Sequence, residues 1–290
     1  MPELPEVEVV KKSLEKEILN LTIKDIKIRD DKLRYKVKKS DFSKIIGSKI
    51  LKITRRSKYL LFLLNNSFIM IAHLDMTGKF FLKNENQKKR KTSFYYDVTE
   101  NDKKDKHDRL IFTFNKNLKL IYNDVRKFGF IKLISANKIN LNPHIKLLGP
   151  EPFNDYFDAK YFKSYLVGRN RVIKDLLMDQ KFVAGLGNIY VNEILFLSGI
   201  SPNRNIRTLK SLEINSILKN TRLVLKKAIL LGGSSIKNFS NSSGKEGNFQ
   251  QHFNVYGRKG VKCSSSDCKG IIKKIIISNR ASFFCSICQK

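Results

Sequence analysis

The chain has 290 residues with 41% hydrophobic content, long enough for one large domain or two ordinary ones, each with its own core. There are 57 Lys and Arg against 26 Asp and Glu, a formal net charge of +31 spread along the chain, and the natural partner of such a field is a polyanion, above all nucleic acid. No apolar run approaches the roughly 18 residues of a membrane span, and the glutamates at 3, 6 and 8 exclude a signal peptide, so a cytoplasmic protein with no membrane partner is expected.

In chain order, Val7, Val10, Leu14 and Ile18 recur at helical spacing, so residues 5–19 are predicted to form an amphipathic helix. Pro5 takes a tolerated first-turn position, and Glu6 and Glu8 suit the positive end. Eight β-rich runs follow, at 22–28, 49–55, 58–64, 67–73, 79–82, 109–114, 118–124 and 128–134, and they predict a sandwich or barrel. Between Lys83 and Arg109 the sequence is polar and lysine-rich, a long loop flanking one further strand, SFYYDV. HIKLLGPEPFN marks a boundary, after which the period turns helical at 159–167, 171–179, 188–199 and 209–231. Residues 232–251, rich in Gly, Ser and Asn, are predicted to be a flexible loop. The fold class is therefore α+β, with a β-rich first half and an α-rich second half.

The four cysteines all fall in the tail, as Cys263-x4-Cys268 and Cys285-x2-Cys288. Two thiolate pairs joined by a hairpin's length of chain fit one tetrahedral structural zinc ion, which a segment too short for a core needs in order to fold. KFVAGLGNIYVNE places Asn188 as the N-cap of an apolar helix behind two glycines that let a phosphate approach the main chain; an ordinary turn between helices reads as well from this motif alone. RRSKYL sets Arg55, Arg56 and Lys58 at the start of a strand. NDVRKFG puts Arg126 and Phe128 on one side of an extended segment, a pair able to wedge into a base stack, although spacing alone favours Phe128 as a core residue. At MPEL, loss of Met1 would leave Pro2 as a terminal secondary amine, far less protonated at neutral pH than a lysine and able to attack a sugar C1′, although from Met-Pro alone an inert chain end is the commoner reading. Glu3, one peptide away, can trade protons with that sugar.

These motifs in this order, from MPELPEVE through HLDMTGKF, KHDRLIF, LGPEP and the FQQHFNVYGR loop to NRASFFCSICQ, resemble the bacterial formamidopyrimidine-DNA glycosylases over essentially the whole chain. The resemblance implies a two-layered β-sandwich with an N-terminal helix (1–135, catalytic), a linker (136–155), a helix-two-turn-helix domain that includes a lesion-capping loop at 232–251 (156–255), and a zinc-finger β-hairpin (256–290). It implies Pro2 as Schiff-base nucleophile, Glu3 as general acid on the sugar ring oxygen, and Glu6 as a further acid. Lys58 would be the proton donor of β-elimination and Arg280 that of δ-elimination. Met76, Arg126 and Phe128 fall on the triad that fills the space of the flipped-out nucleotide, and His107, Arg171, Asn188 and Lys274 on DNA-contacting positions. The x4 spacing of the first cysteine pair, where x2 is usual, alters the turn but not the ligand count. Val125 replaces a common proline and Lys127 a common arginine, and neither removes a catalytic group. The expected activity is excision of oxidised purines (8-oxoguanine, formamidopyrimidines) from double-stranded DNA by a monomer, with cleavage at the abasic site. An endonuclease VIII-like enzyme for oxidised pyrimidines and a non-catalytic binder of damaged DNA are the alternatives.

Overall fold

The computed structural model describes residues 1–84, 89–92, 105–234 and 249–290. Helix α1 (Leu4–Ile18) starts within one residue of its predicted place, and Leu4, Val7, Val10, Leu14 and Ile18 form its buried stripe. All eight predicted strands are present: β1 (Ile23–Ile28), β2 (Ile50–Arg56), β3 (Tyr59–Leu64), β4 (Phe68–His73), β5 (Gly78–Lys83), β7 (Asp108–Phe114), β8 (Lys119–Asp124) and β9 (Phe130–Ser135). A two-residue strand, β6 (Arg90–Lys91), was not anticipated, and the predicted SFYYDV strand lies outside the described residues. The strands form two antiparallel sheets, β1-β7-β8-β5-β6 and β2-β3-β4-β9. Strict alternation makes a layer possible: in β3 every second residue is buried. Leu60, Phe62 and Met70 of one sheet, Phe80, Phe112 and Leu120 of the other, and Val7, Val10 and Leu14 of α1 meet in one cluster, a two-layered sandwich with the helix packed into its core.

The chain divides into two compact units, Met1–Lys146 with Gly232–Gly247, and Leu147–Leu231 with Asn248–Lys290. The second unit holds α2 (Ala159–Leu166), α3 (Ile173–Met178), α4 (Asn188–Leu197), α5 (Ser211–Leu230) and a hairpin of β10 (Ile272–Ile277) and β11 (Arg280–Cys285). Helix α4 is buried almost all round, as its unbroken apolar sequence requires. Its N-cap is Gly187, in extended backbone, and not Asn188 as the sequence suggested. The preceding turn accounts for the shift: Gln180 accepts the Gly185 N–H (2.8 Å) and donates to the Leu186 carbonyl (2.8 Å), so the chain reaches the helix one residue early. Among the described residues no helix is long and apolar enough to cross a membrane.

Candidate active site and cysteine centre

The first turn of α1 is buried from Pro2 to Val7, and that fixes the chain end. Glu6 Oε2 accepts the Glu3 N–H (2.9 Å), one half of a capping box, while Oε1 accepts the Ser234 N–H (2.8 Å) and hydroxyl (3.1 Å). Ser234 is thereby tied to the start of the chain, while residues 235–248 of the predicted 232–251 loop lie outside the described residues. Arg55 donates to Glu8 of α1 (2.8 Å) and to the Ser57 carbonyl (2.9 Å), which anchors the β2–β3 turn to the same helix. Ser57 takes φ +54° in that turn and Lys58 follows it, buried. Arg55 and Arg56 therefore end one strand, with Lys58 in the turn, a correction to their predicted place at a strand start.

The terminal α-ammonium, carried by Met1 immediately ahead of Pro2, is pulled below its usual range. Burial is the chief cause and Lys58 adds to it, while Glu3, Glu6 and Asp75 push the other way. An amine, two carboxylates and a lysine thus share one small volume. Nearby, His73 is driven down to about 3 by burial, then by Lys58, Arg34 and His144, so it stays neutral.

A second group is organised by Asp124, fully buried at the end of β8. Its carboxylate accepts the N–H groups of Arg126 (3.2 Å), Lys127 (3.1 Å) and Gly129 (2.9 Å), together with the Thr77 hydroxyl. Thr77 belongs to the loop that presents Met76, so one carboxylate clips the Met76 loop to the Arg126–Phe128 turn. Lys127 adopts φ +58°, which turns the segment instead of extending it. Phe128 is consequently 43% exposed and Met76 51% exposed, and the Arg126 guanidinium lies 4.4 Å from the Phe128 ring centroid. The core placement that spacing favoured for Phe128 is overturned, because the left-handed residue lifts the ring out. Gly78 and Gly129 close this region: a Cβ on Gly78 would lie 2.5 Å from the Leu74 carbonyl oxygen, and one on Gly129 would collide with Tyr122.

In the second unit, Arg280 follows a two-residue turn in which Ser278 (φ +46°) and Asn279 (φ +59°) are both left-handed, the geometry of a tight hairpin. The next carbonyl, of Ala281, accepts from Lys174 Nζ (2.9 Å) and Asn188 Nδ2 (3.0 Å). Lys174 also donates to the Ser282 hydroxyl (2.5 Å), and Asn192 Oδ1 accepts the Phe283 N–H (2.6 Å). Burial lowers Lys174 to about 8. Arg280 itself is exposed, as is Lys274 on β10. Arg171, two residues ahead of α3, is turned onto that helix, donating to Asp179 at its C-cap (3.0 Å) and to the Asp175 carbonyl (2.7 Å). Glu193, buried in α4, accepts four hydrogen bonds from Asn254, Val255 and Tyr256 at 2.8–3.0 Å, and so holds the segment that leads to the cysteines. Sequence reasoning passed over Asp124, Lys174, Asn192 and Glu193. The signal was a charged or polar residue interrupting an apolar run, as in VIKDLLM and IYVNEILF.

The four cysteine Sγ atoms lie within 4.8 Å of one another, and none is in a disulfide. Separations of 3.3, 3.7 and 3.8 Å match the roughly 3.8 Å edge of a tetrahedron with metal–sulfur bonds of about 2.3 Å. Gly270 permits the approach, since a Cβ there would sit 2.6 Å from Cys285 Sγ. The left-handed Asp267 (φ +60°) takes up the longer spacing of the first pair.

The family model of the formamidopyrimidine-DNA glycosylase N-terminal domain matches residues 1–131, and that of the H2TH domain of the same enzymes matches 148–240. The chain is 39% identical over 289 residues to the formamidopyrimidine-DNA glycosylase of Rickettsia canadensis, covering 100% of this chain and 99% of the relative. It is 39% identical over 290 residues to that of Rickettsia bellii, covering 100% of both. Among solved structures it is similar to wild-type Lactococcus lactis Fpg (MutM) in complex with N7-benzyl-Fapy-dG DNA, with TM-score 0.83, 37% identity and 100% of each chain covered. It is also similar to the Lactococcus lactis Fpg complex with abasic-site DNA, with TM-score 0.82, 37% identity and 99% of each covered.

Two outcomes follow from these buried carboxylates. Asp124→Ala strands the Lys127 and Gly129 N–H groups, leaves Arg126 N–H only the Thr77 hydroxyl, and should lower stability to urea by about 3 kcal/mol or more, with loss of the Arg126–Phe128 contact by NMR. Glu193→Gln should cost about 2 kcal/mol and speed amide hydrogen exchange at Asn254, Val255 and Tyr256 while leaving the sandwich strands protected.

Proposed function

The chain belongs to the formamidopyrimidine-DNA glycosylases, and from that premise we propose how its own residues carry out base-excision repair. The enzyme is a bifunctional DNA glycosylase and abasic-site lyase acting on damaged duplex DNA. Its substrates are oxidised purines, formamidopyrimidines and 8-oxoguanine. The observation that carries the mechanism is the chain end: the Met1 α-ammonium, one residue ahead of Pro2, is lowered in basicity by burial and feels the charges of Glu3, Glu6 and Lys58.

With Met1 removed, the neutral Pro2 nitrogen attacks C1′ and the glycosidic bond breaks with its electron pair leaving on the base; the nitrogen then loses its proton, and the C1′–O4′ bond breaks with its pair on the ring oxygen, which Glu3 protonates. The product is an iminium, which cannot lose its charge by deprotonation at nitrogen because the amine was secondary. That cation accepts electrons when a C2′ proton is lost and the C3′–O bond breaks, releasing the 3′ phosphate. Lys58 serves this β-elimination as proton donor. A second elimination breaks the C5′–O bond, with Arg280 as donor. Glu6 holds the chain end through the Glu3 N–H and holds the capping loop through Ser234. Met76, Arg126 and Phe128 fill the vacated stack, with Phe128 as wedge and Arg126 steadied on its face. His107, Arg171, Asn188 and Lys274 meet the DNA, the first and last from exposed or half-exposed positions and Asn188 from the start of α4, where its amide is bonded to the carbonyl of Ala281, next to Arg280.

Cys263, Cys268, Cys285 and Cys288 hold one zinc ion, which supplies no chemistry to the reaction and staples a hairpin too small for a core of its own. A reducing cytoplasm keeps those thiols available. The rival specificity for oxidised pyrimidines is not favoured, since both family models and the named relatives are formamidopyrimidine enzymes. A non-catalytic binder gains nothing from the clustered amine, carboxylates and lysine.

Incubation with 8-oxoguanine duplex and borohydride should give a covalent adduct that Pro2→Gly abolishes; an adduct of undiminished yield in that variant would sink the mechanism. The attacking amine must be neutral, so the trapping rate should rise with pH and level off once the Pro2 amine has lost its proton. Cys268→Ser should lose most of the bound zinc by atomic absorption and expose the β10–β11 amides to exchange.

A further inference from the structure

The segment that leaves β1, residues 29–37, belongs to no strand, yet it is firmly held. Leu33 and Val37 are buried in the sandwich core, the Val37 N–H donates to the Asp31 carbonyl (2.8 Å), and the Arg29 N–H donates to the Arg109 carbonyl (2.9 Å) on β7. A loop fixed at both ends and in its middle can support whatever rests on it.

What rests on it are the two loops that carry Met76 and Phe128. Asp30 Oδ2 accepts from Lys127 Nζ (2.6 Å), the left-handed residue immediately ahead of Phe128, and from Arg109 Nη1 (2.8 Å). Asp30 Oδ1 accepts the Lys32 N–H (3.0 Å), so the carboxylate cannot swing away from Lys127 without breaking a bond inside its own loop. Arg34 meets both loops: its Nη1 is 3.3 Å from Oδ2 of Asp75, the neighbour of Met76, and its N–H donates to the Gly129 carbonyl (3.4 Å). Asp124 holds the turn through main-chain N–H groups from within, and Asp30 holds it through a side chain from outside. Buried Arg109 couples the two, donating to the Asp124 carbonyl (2.9 Å) as well as to Asp30.

A ring that enters a base stack must resist being pushed back, since unstacking costs energy and a yielding turn would give way first. We propose that Asp30 and Arg34 are positioning residues for base excision, bracing the Phe128 turn and the Met76 loop so that the push of the stack extrudes the damaged nucleotide instead of bending the protein. This rests on the reading of Met76, Arg126 and Phe128 as the set that fills the vacated space. It carries a distinctive signature, because an abasic nucleotide has no base to unstack and its extrusion asks less of the wedge.

The test compares, on zinc-loaded full-length protein under single-turnover conditions, excision from an 8-oxoguanine duplex with strand cleavage at a preformed abasic site. Asp30→Ala should slow the first about fivefold and leave the second within about twofold of wild type. Equal slowing of both, or slowing of neither, would overturn the brace. Asp30→Asn keeps an acceptor for Arg109 and so guards the fold, and it should show the same imbalance in smaller measure; so should Arg34→Met, whose pair with Asp75 is the more exposed. Asp30→Ala combined with Lys127→Met should excise no more slowly than the slower single variant, whereas additive losses would show that the two residues act separately and overturn the contact. Phe128→Ala tests the underlying reading: excision at the wild-type rate would remove the wedge itself, while slow Phe128→Ala beside unimpaired Asp30→Ala and Arg34→Met would remove only the brace.

Discussion

Asp124 is wholly buried, and a carboxylate in that position must collect donors or give up its charge. The donors it collects are main-chain N–H groups of a turn that has no core to hold it, and a hydroxyl from a neighbouring loop. The same solution recurs at Glu6, which gathers the N–H groups of Glu3 and Ser234, and at Glu193, which gathers those of Asn254, Val255 and Tyr256. In each case the apolar scaffold supplies rigidity, and one acid inside it conveys that rigidity to a segment of irregular backbone. A chain of net charge +31 spends few acids, and it places these where the functional loops leave the scaffold.

The surplus of cations has a different purpose from the few buried ones. Most lysines and arginines stand in solvent, where they attract a polyanion without fixing its position. Lys58, Arg109 and Lys174 are buried. Arg109 and Lys174 bind carbonyls and side chains at short range, so each determines where another group points, and Lys58 lowers the basicity of the chain end. Long-range attraction and short-range alignment are thus divided between two populations of the same residue types.

Much of the architecture could be read from the sequence because it is local. Alternation in KYLLFLL and the three- and four-residue steps from Val7 to Ile18 require only their own neighbourhoods, and the corresponding strand and helix are where the pattern puts them. The cysteines announced their cluster by spacing alone. What stayed hidden depends on partners far along the chain. Lys174 reads as a surface lysine until β11, over 100 residues later, places a carbonyl against it. Phe128 reads as core because nothing in NDVRKFG reveals that Lys127 will adopt a left-handed conformation, in a turn whose N–H groups at 126, 127 and 129 all point to Asp124. Asn188 was misplaced by one residue for a similar reason, the cause being the side chain of Gln180 and not the helix itself. Around the chain end, the residues singled out from MPELPEVE and RRSKYL do share one electrostatic neighbourhood, although the sequence could not say that burial would lower the amine.

Gly233 sits at φ +83°, and the place where its Cβ would be is 3.0 Å from Glu6 Oε1. Glu6 and its neighbour Ser234 are 228 residues apart, yet they leave no space for a methyl group between them. Two positions far apart in the chain therefore form a single fitted surface. A larger residue at 233 would have to be matched by a shorter acid at 6, and that shorter acid would no longer reach the Glu3 N–H. Drift at either position is closed off by the other, and a recombinant that joined the front of this chain to the back of a distant relative would be judged first at this contact.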